Sequence, residues 1–157
     1  MGLDMYLKGK RYLWKHGLNP DGLIAESIQN QFPELNGFPS HWGEGESVVD
    51  EIIIGVGYWR KANAIHNWFV NNVQNGVDEC QNSYVSREQL EWLRTLCEQA
   101  KASREGAGDI LPTTSGCFFG DTDYDDGYFE DLVNTIKIIN TALELPDTWI
   151  FEYQASW

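Results

Sequence analysis

The sequence predicts an α+β fold, a small antiparallel or mixed sheet with about three helices packed on it. Three observations carry this expectation. Segments near both ends alternate between apolar and polar residues, as half-buried strands do. Stretches between them repeat apolar residues every three or four positions, as amphipathic helices do. The order runs from strands to helices interleaved with short strands and then to a final strand, which suits a sheet covered on one face.

Leu3, Met5 and Leu7 share one side of an extended segment that reaches Trp14, read as one strand or as a hairpin broken near Gly9. From Gly17 to Ser47 the chain is rich in Gly, Asn, Pro and Ser, with Pro20, Pro33 and Pro39 interrupting any long element. A long irregular excursion is expected there, with a short helix over Leu23 to Gln31 capped by Asp21 and facing inward through Leu23, Ile24 and Ile28. The apolar run Val48 to Val56 reads as a strand, after which Gly55 and Gly57 turn the chain. A helix follows from Tyr58 through Val73, with Ala62, Ile65, Phe69 and Val73 on its apolar side. Ser86 and Gln89 form the S-x-x-Q pattern of a capping box; Leu90, Leu93, Cys97 and Ala100 make the stripe of the helix they open, which ends near Gly106. A short strand is expected at Cys117 to Phe119. A third helix is capped by Asp125 and Asp126 and apolar at Phe129, Leu132, Val133, Ile136 and Ile139. Trp149, Phe151 and Tyr153 alternate in a terminal strand after Pro146.

A chain of 157 residues suits a single domain over 1–157. Its 11 Lys+Arg against 24 Asp+Glu give a net charge of −13, which speaks against direct binding of nucleic acid or an anionic membrane surface. No apolar run reaches the roughly 20 residues of a membrane span, and no signal-peptide pattern is read at Met1 to Leu7. Cys80, Cys97 and Cys117 are odd in number, without a C-x-x-C pair, so reduced thiols and a cytoplasmic location are expected.

The junction from the Val48 to Val56 strand through Gly55-Val-Gly57 into a helix places Arg60 and Lys61 in the expected first helical turn, where the macrodipole opposes cations. Such a conflict suits an anion, which a helix N-terminus also attracts; the alternative is that both side chains lean away to pair with acids. At 100° per residue Arg60, Asn63, Asn67 and Asn71 share a stripe. Asparagine is a poor interior helix former, and its amide both donates and accepts, as reading a base or sugar requires. Trp59 joins this group as a stacking surface, while His66 is expected to be a hydrogen-bonded core residue. Thr113, Thr114 and Ser115, beside Gly116, could line a pocket wall, although turns use the same residues. Asp121, Asp123 and Asp125 begin like a calcium loop, but Asp126 stands where the turn needs Gly and Leu132 where Glu is required, so a solvated acidic loop is expected. No G-x-S-x-G or H-E-x-x-H pattern occurs, and His16, His41 and His66 have no recognisable nucleophile partner. The reading therefore assigns no catalytic residue, no metal and no cofactor.

Met1 to Leu7 (MGLDMYL), Gly57 to Val70 (GYWRKANAIHNWFV) and Leu111 to Gly120 (LPTTSGCFFG), with Tyr124 and Tyr128, resemble a family of small bacteriophage- and prophage-encoded proteins of unassigned function. The resemblance implies a context, the cytoplasm of an infected bacterial host, where accessory proteins counter host defences. Within that context two readings stay open. One is a non-catalytic anti-defence protein that sequesters a small anionic nucleotide-type immune signal through Trp59, Arg60, Lys61, Asn63, Asn67, Thr113, Thr114 and Ser115. The other is an acidic inhibitor that mimics nucleic acid and blocks a host nuclease or defence effector. Either admits a homo-oligomer.

Overall fold

The structure is a computed structural model that describes residues 2–15, 20–40 and 46–157. His16 and His41 lie outside the described residues, as do residues 17–19 and 42–45 of the expected excursion. In chain order the elements are β1 (Asp4–Tyr12), α1 (Pro20–Asn30), β2 (Glu51–Arg60), α2 (Asn63–Asn72), β3 (Ser83–Val85), α3 (Arg87–Ala102), α4 (Ala107–Ile110), α5 (Asp126–Leu143) and β4 (Ile150–Ser156), with 3-10 turns at Pro33–Gly37 and Arg104–Gly106. Among the described residues this is an α+β fold, a four-stranded antiparallel sheet ordered β2-β1-β4-β3 with five α-helices. The chain divides into two compact units, Met1–Gly9 with Ile54–Trp157, and Lys10–Ile53.

The larger unit holds the main core. Leu3, Met5 and Leu7 of β1 and Phe151, Tyr153 and Ala155 of β4 are buried, as alternation on one sheet face requires. Val85 of β3 sits opposite Phe151 in antiparallel register. Against this face α3 places Leu90, Leu93, Cys97 and Ala100, and α5 places Phe129, Leu132 and Ile139. Each fully buried Leu or Ile contributes about 1.5 to 3 kcal/mol by leaving water. Both long helices start as expected. The Ser86 hydroxyl accepts from Gln89 N while the Gln89 side chain accepts from Ser86 N, closing the capping box. The Asp125 carboxylate accepts from Tyr128 N and caps α5.

Several boundaries differ from expectation. β1 runs unbroken through Gly9, where an added Cβ would stand 3.1 Å from Val56. β2 begins at Glu51 and passes straight through Gly55 and Gly57 to Arg60. Gly57 is not a turn: it faces α5 so closely that a Cβ would fall on the Ile138 side chain. The burial alternation of β2 also shifts by one residue between Val56 and Gly57, as at a bulge. Residues 58–60 are thereby committed to the sheet, Lys61 takes φ +59°, and α2 starts only at Asn63. Cys117 to Phe119 form a turn instead of a strand, with Phe118 at φ +65° and Phe119 N donating to Gly116 O. α3 stops at Ala102; the residues expected to extend it to Gly106 form the second 3-10 turn, and α4 follows beyond them. β3 went unforeseen because three residues carry too little periodicity to read.

In the smaller unit α1 starts at Pro20. Asp21 therefore lies in its first turn instead of capping it, and its carboxylate accepts from the Arg11 guanidinium and from Trp14 N. Ala25 is the buried residue of α1, whereas Leu23 is 71% exposed, so the expected inward stripe is not formed. Lys15 Nζ is buried against Asp50 Oδ1 at 2.6 Å. No helix among the described residues is long and apolar enough to cross a membrane.

Candidate functional site

The end of β2, the start of α2 and the start of α5 enclose a cavity of about 340 Å³ in the larger unit. Arg60 closes β2, and Lys61 links it to α2 in a left-handed conformation that non-glycine residues adopt at a cost of about 1 to 2 kcal/mol. Two hydrogen bonds hold that link: Lys61 N donates to Leu3 O and Asn63 N donates to Lys61 O, both at 2.8 Å. The two cations thus precede the first turn of α2, contrary to expectation, because the sheet has claimed the residues assigned to that turn. They flank its N-terminus. Ala62 occupies the N-cap and supplies no capping side chain, and Ala64 and Ile65, at the second and third helical positions, line the cavity. Neither Arg60 nor Lys61 forms an ion pair or side-chain hydrogen bond among the described residues, so the alternative that they lean away to pair with acids is not what the structure contains. Both side chains run past Gly2.

The opposite wall is acidic, with Asp121, Asp123, Asp125, Glu130 and Asp131. Asp125 is occupied in capping α5. Burial, followed by repulsion from Glu130 and Asp125, pushes the Asp131 carboxyl up to about 6. The folded chain therefore holds this proton more tightly than the unfolded chain, and the resulting penalty grows as pH rises from about 4 to about 6 and is constant above. Asp131→Asn is expected to raise stability at pH 7 by about 1 kcal/mol, discounted for the partial access of water, which is about 2 to 4 °C in melting temperature. The gain should vanish at pH 4. Equal melting temperatures at pH 7 would refute the assignment.

The structure distributes the eight residues singled out in the sequence. Arg60, Lys61, Asn63 and Thr113 line this cavity. Asn63 is nevertheless a clamp: its Nδ2 donates to Phe119 O and Asp121 O, and its Oδ1 accepts from Thr114 N. It positions the 113–121 wall and spends both amide hydrogens there, so that only the second lone pair of Oδ1 is left for a ligand. Thr113 Oγ1 donates to Thr122 O. Asn67 lines a neighbouring cavity, while Thr114 and Ser115 line neither. Trp59, expected to stack on a ligand, is 1% exposed; its indole N–H donates to Thr135 Oγ1 at 2.9 Å and its ring meets Phe69 edge-on. It is a core residue because β2 turns it toward α5. Asn71 Nδ2 donates to Asn67 O and Oδ1, so a stripe of amides does exist on α2, although Arg60 is not part of it.

His66 is a satisfied core histidine, as expected. Its Nδ1 is 2.8 Å from the Tyr153 hydroxyl and its Nε2 is 3.0 Å from Asp78 Oδ2. A neutral ring that donates through Nε2–H and accepts at Nδ1 satisfies both partners. Burial keeps Tyr153 well above its ordinary pKa, so it stays a hydroxyl donor. Cys80, Cys97 and Cys117 are free thiols, and burial pushes Cys97 up to about 12. No group of three or more His, Cys, Asp or Glu among the described residues is spaced to hold a metal ion. Compared with family models, curated proteins and solved structures, the chain matches none.

Proposed function

We propose that this chain is a non-catalytic binding protein that takes up and sequesters a small anionic nucleotide-type ligand, in the setting of phage defence against host immunity that its family resemblance implies. The observation that carries the reading is the cavity in which Arg60 and Lys61, which form no ion pair or side-chain hydrogen bond among the described residues, flank the N-terminus of α2 where no side chain caps it. Two cations and oriented N–H groups converging on one cavity suit a phosphate. The volume of about 340 Å³ is in the range of small-molecule sites. The acidic wall supports a ligand whose remainder carries hydroxyl or amino donors, and it disfavours a chain of several phosphates.

Calorimetry with cyclic nucleotides and ADP-ribose tests this. Arg60→Ala is expected to weaken binding by about 10-fold to 150-fold, from roughly 1.5 to 3 kcal/mol per lost charge-assisted bond, with the melting temperature of the free protein unchanged. Equal affinity of Arg60→Ala and wild type, or no response to any member of the panel, overturns the reading. The second reading, an acidic inhibitor that mimics nucleic acid, draws on the continuous exposure of Asp121, Asp123, Asp125 and Asp126. It calls for a protein partner whose binding weakens, with a shallower salt dependence, when these four are changed to Asn.

A further inference from the structure

β2 is an edge strand. The order β2-β1-β4-β3 gives it β1 on one side, and among the described residues no strand pairs with the other. Long edges are commonly blunted by lysine or proline, yet Glu51–Arg60 (EIIIGVGYWR) contains neither.

Three hydrogen bonds fix which residues of β2 aim their backbone outward. Asp50 O accepts from Leu13 N and Lys61 N donates to Leu3 O, so both flanking residues point toward β1. Tyr58 O instead accepts from Asn134 Nδ2 of α5. The N–H and C=O of a strand residue point to one side, and the side alternates from residue to residue. Counted forward from Asp50, the outward residues are Glu51, Ile53 and Gly55. Counted back from Lys61, they are Arg60 and Tyr58. The change of parity falls at Val56 and Gly57, where the burial alternation also shifts. These five outward residues are the exposed ones of the strand; Ile53 is 55% and Tyr58 47% exposed, and a Cβ added at Gly55 would meet nothing.

Read in either direction, the five are complementary about Gly55: an aliphatic residue against an aromatic one on each side, then an acid against a base. We infer that a second copy of this chain pairs with this edge, β2 against β2, antiparallel about a two-fold axis at Gly55. In that register Gly55 meets its own copy, Ile53 faces Tyr58 of the second copy, and Glu51 faces Arg60 of the second copy. An isologous contact of this kind closes on itself, and its affinity comes from the new backbone ladder and the two aliphatic–aromatic pairs. The net charge of −13 opposes contact between copies, so the surface where they meet needs local complementarity. Exposed Glu–Arg pairs add little attraction; they set the register, because any slip brings like or unmatched residues opposite each other. The Asn134 contact is 3.5 Å long and exposed, and it gives way to a backbone donor.

Sedimentation equilibrium tests the contact without any ligand. The wild type is expected at twice its 17.9 kDa at micromolar concentration. Ile53→Lys should weaken the dimer about tenfold or more, since two lysines then enter the contact. Arg60→Glu places Glu opposite Glu51, and Glu51→Arg places Arg opposite Arg60; each should weaken the dimer, and the double variant should restore it. Circular dichroism checks that every variant is folded, and Ile53→Thr, which keeps a β-branched side chain, replaces Ile53→Lys should that one unfold. A wild type that stays monomeric even at millimolar concentration overturns the inference. So does a dimer indifferent to the three single variants, a double variant no better than either charge reversal, or assembly that continues past the dimer.

Discussion

Replacing His66 with alanine lowers the unfolding free energy by about 3 to 5 kcal/mol, measured by urea denaturation. Two losses add. The Tyr153 hydroxyl, fully buried and 2.8 Å from His66 Nδ1, is left without its partner, which costs about 1 to 3 kcal/mol. The ring also leaves a hole where it met Phe119 edge-on at 5.1 Å, and truncating a buried side chain of this size costs about 2 kcal/mol or more. Tyr153→Phe removes the hydroxyl with its ring still stacked on Phe69 at 3.8 Å, and is expected to cost only about 1 kcal/mol. The double variant should therefore lose less than the sum of the two, since no hydroxyl remains to be orphaned. A loss below about 1 kcal/mol for His66→Ala would show that the Asp78–His66–Tyr153 chain contributes little to stability.

Gly57→Val destabilises by about 3 kcal/mol. A Cβ at this position falls on the Ile138 side chain, and both neighbours belong to packed elements, β2 and α5. Overpacking a well-filled core typically costs about 1 to 3 kcal/mol, and valine adds two further methyl groups to the clash. Ile138→Ala is destabilising alone, by about 2 to 5 kcal/mol, yet it vacates the space the new side chain needs. The double variant is expected to be more stable than Gly57→Val, a coupling that denaturant titration of the four chains measures directly. Additive losses would mean that β2 and α5 do not meet through these two residues.

Much of the fold was legible because it rests on local rules. Alternation in Leu3, Met5 and Leu7 and in Phe151 and Tyr153 marks the two central strands, and a capping box at Ser86 and an acidic cap at Asp125 mark the starts of the two long helices. Each signal lies within a few residues of its effect. The cationic pair at Arg60 and Lys61 could likewise be singled out by its place shortly after Gly55-Val-Gly57. What no local rule decides is where a strand ends when a distant helix wants its residues. β2 pairs with β1 and approaches Ile138 of α5 at Gly57, and with β2 extended to Arg60 the helix α2 starts at Asn63, Trp59 is buried and both cations line the cavity. The same holds for Asn63, whose partners Phe119, Asp121 and Thr114 lie more than fifty residues away, and for Trp68 and Trp92, which share a cavity only because α2 and α3 pack together. Amphipathic spacing tells which face of an element is buried. Which side chains meet across elements is settled by packing between segments distant in the chain, and the candidate site is made of such meetings.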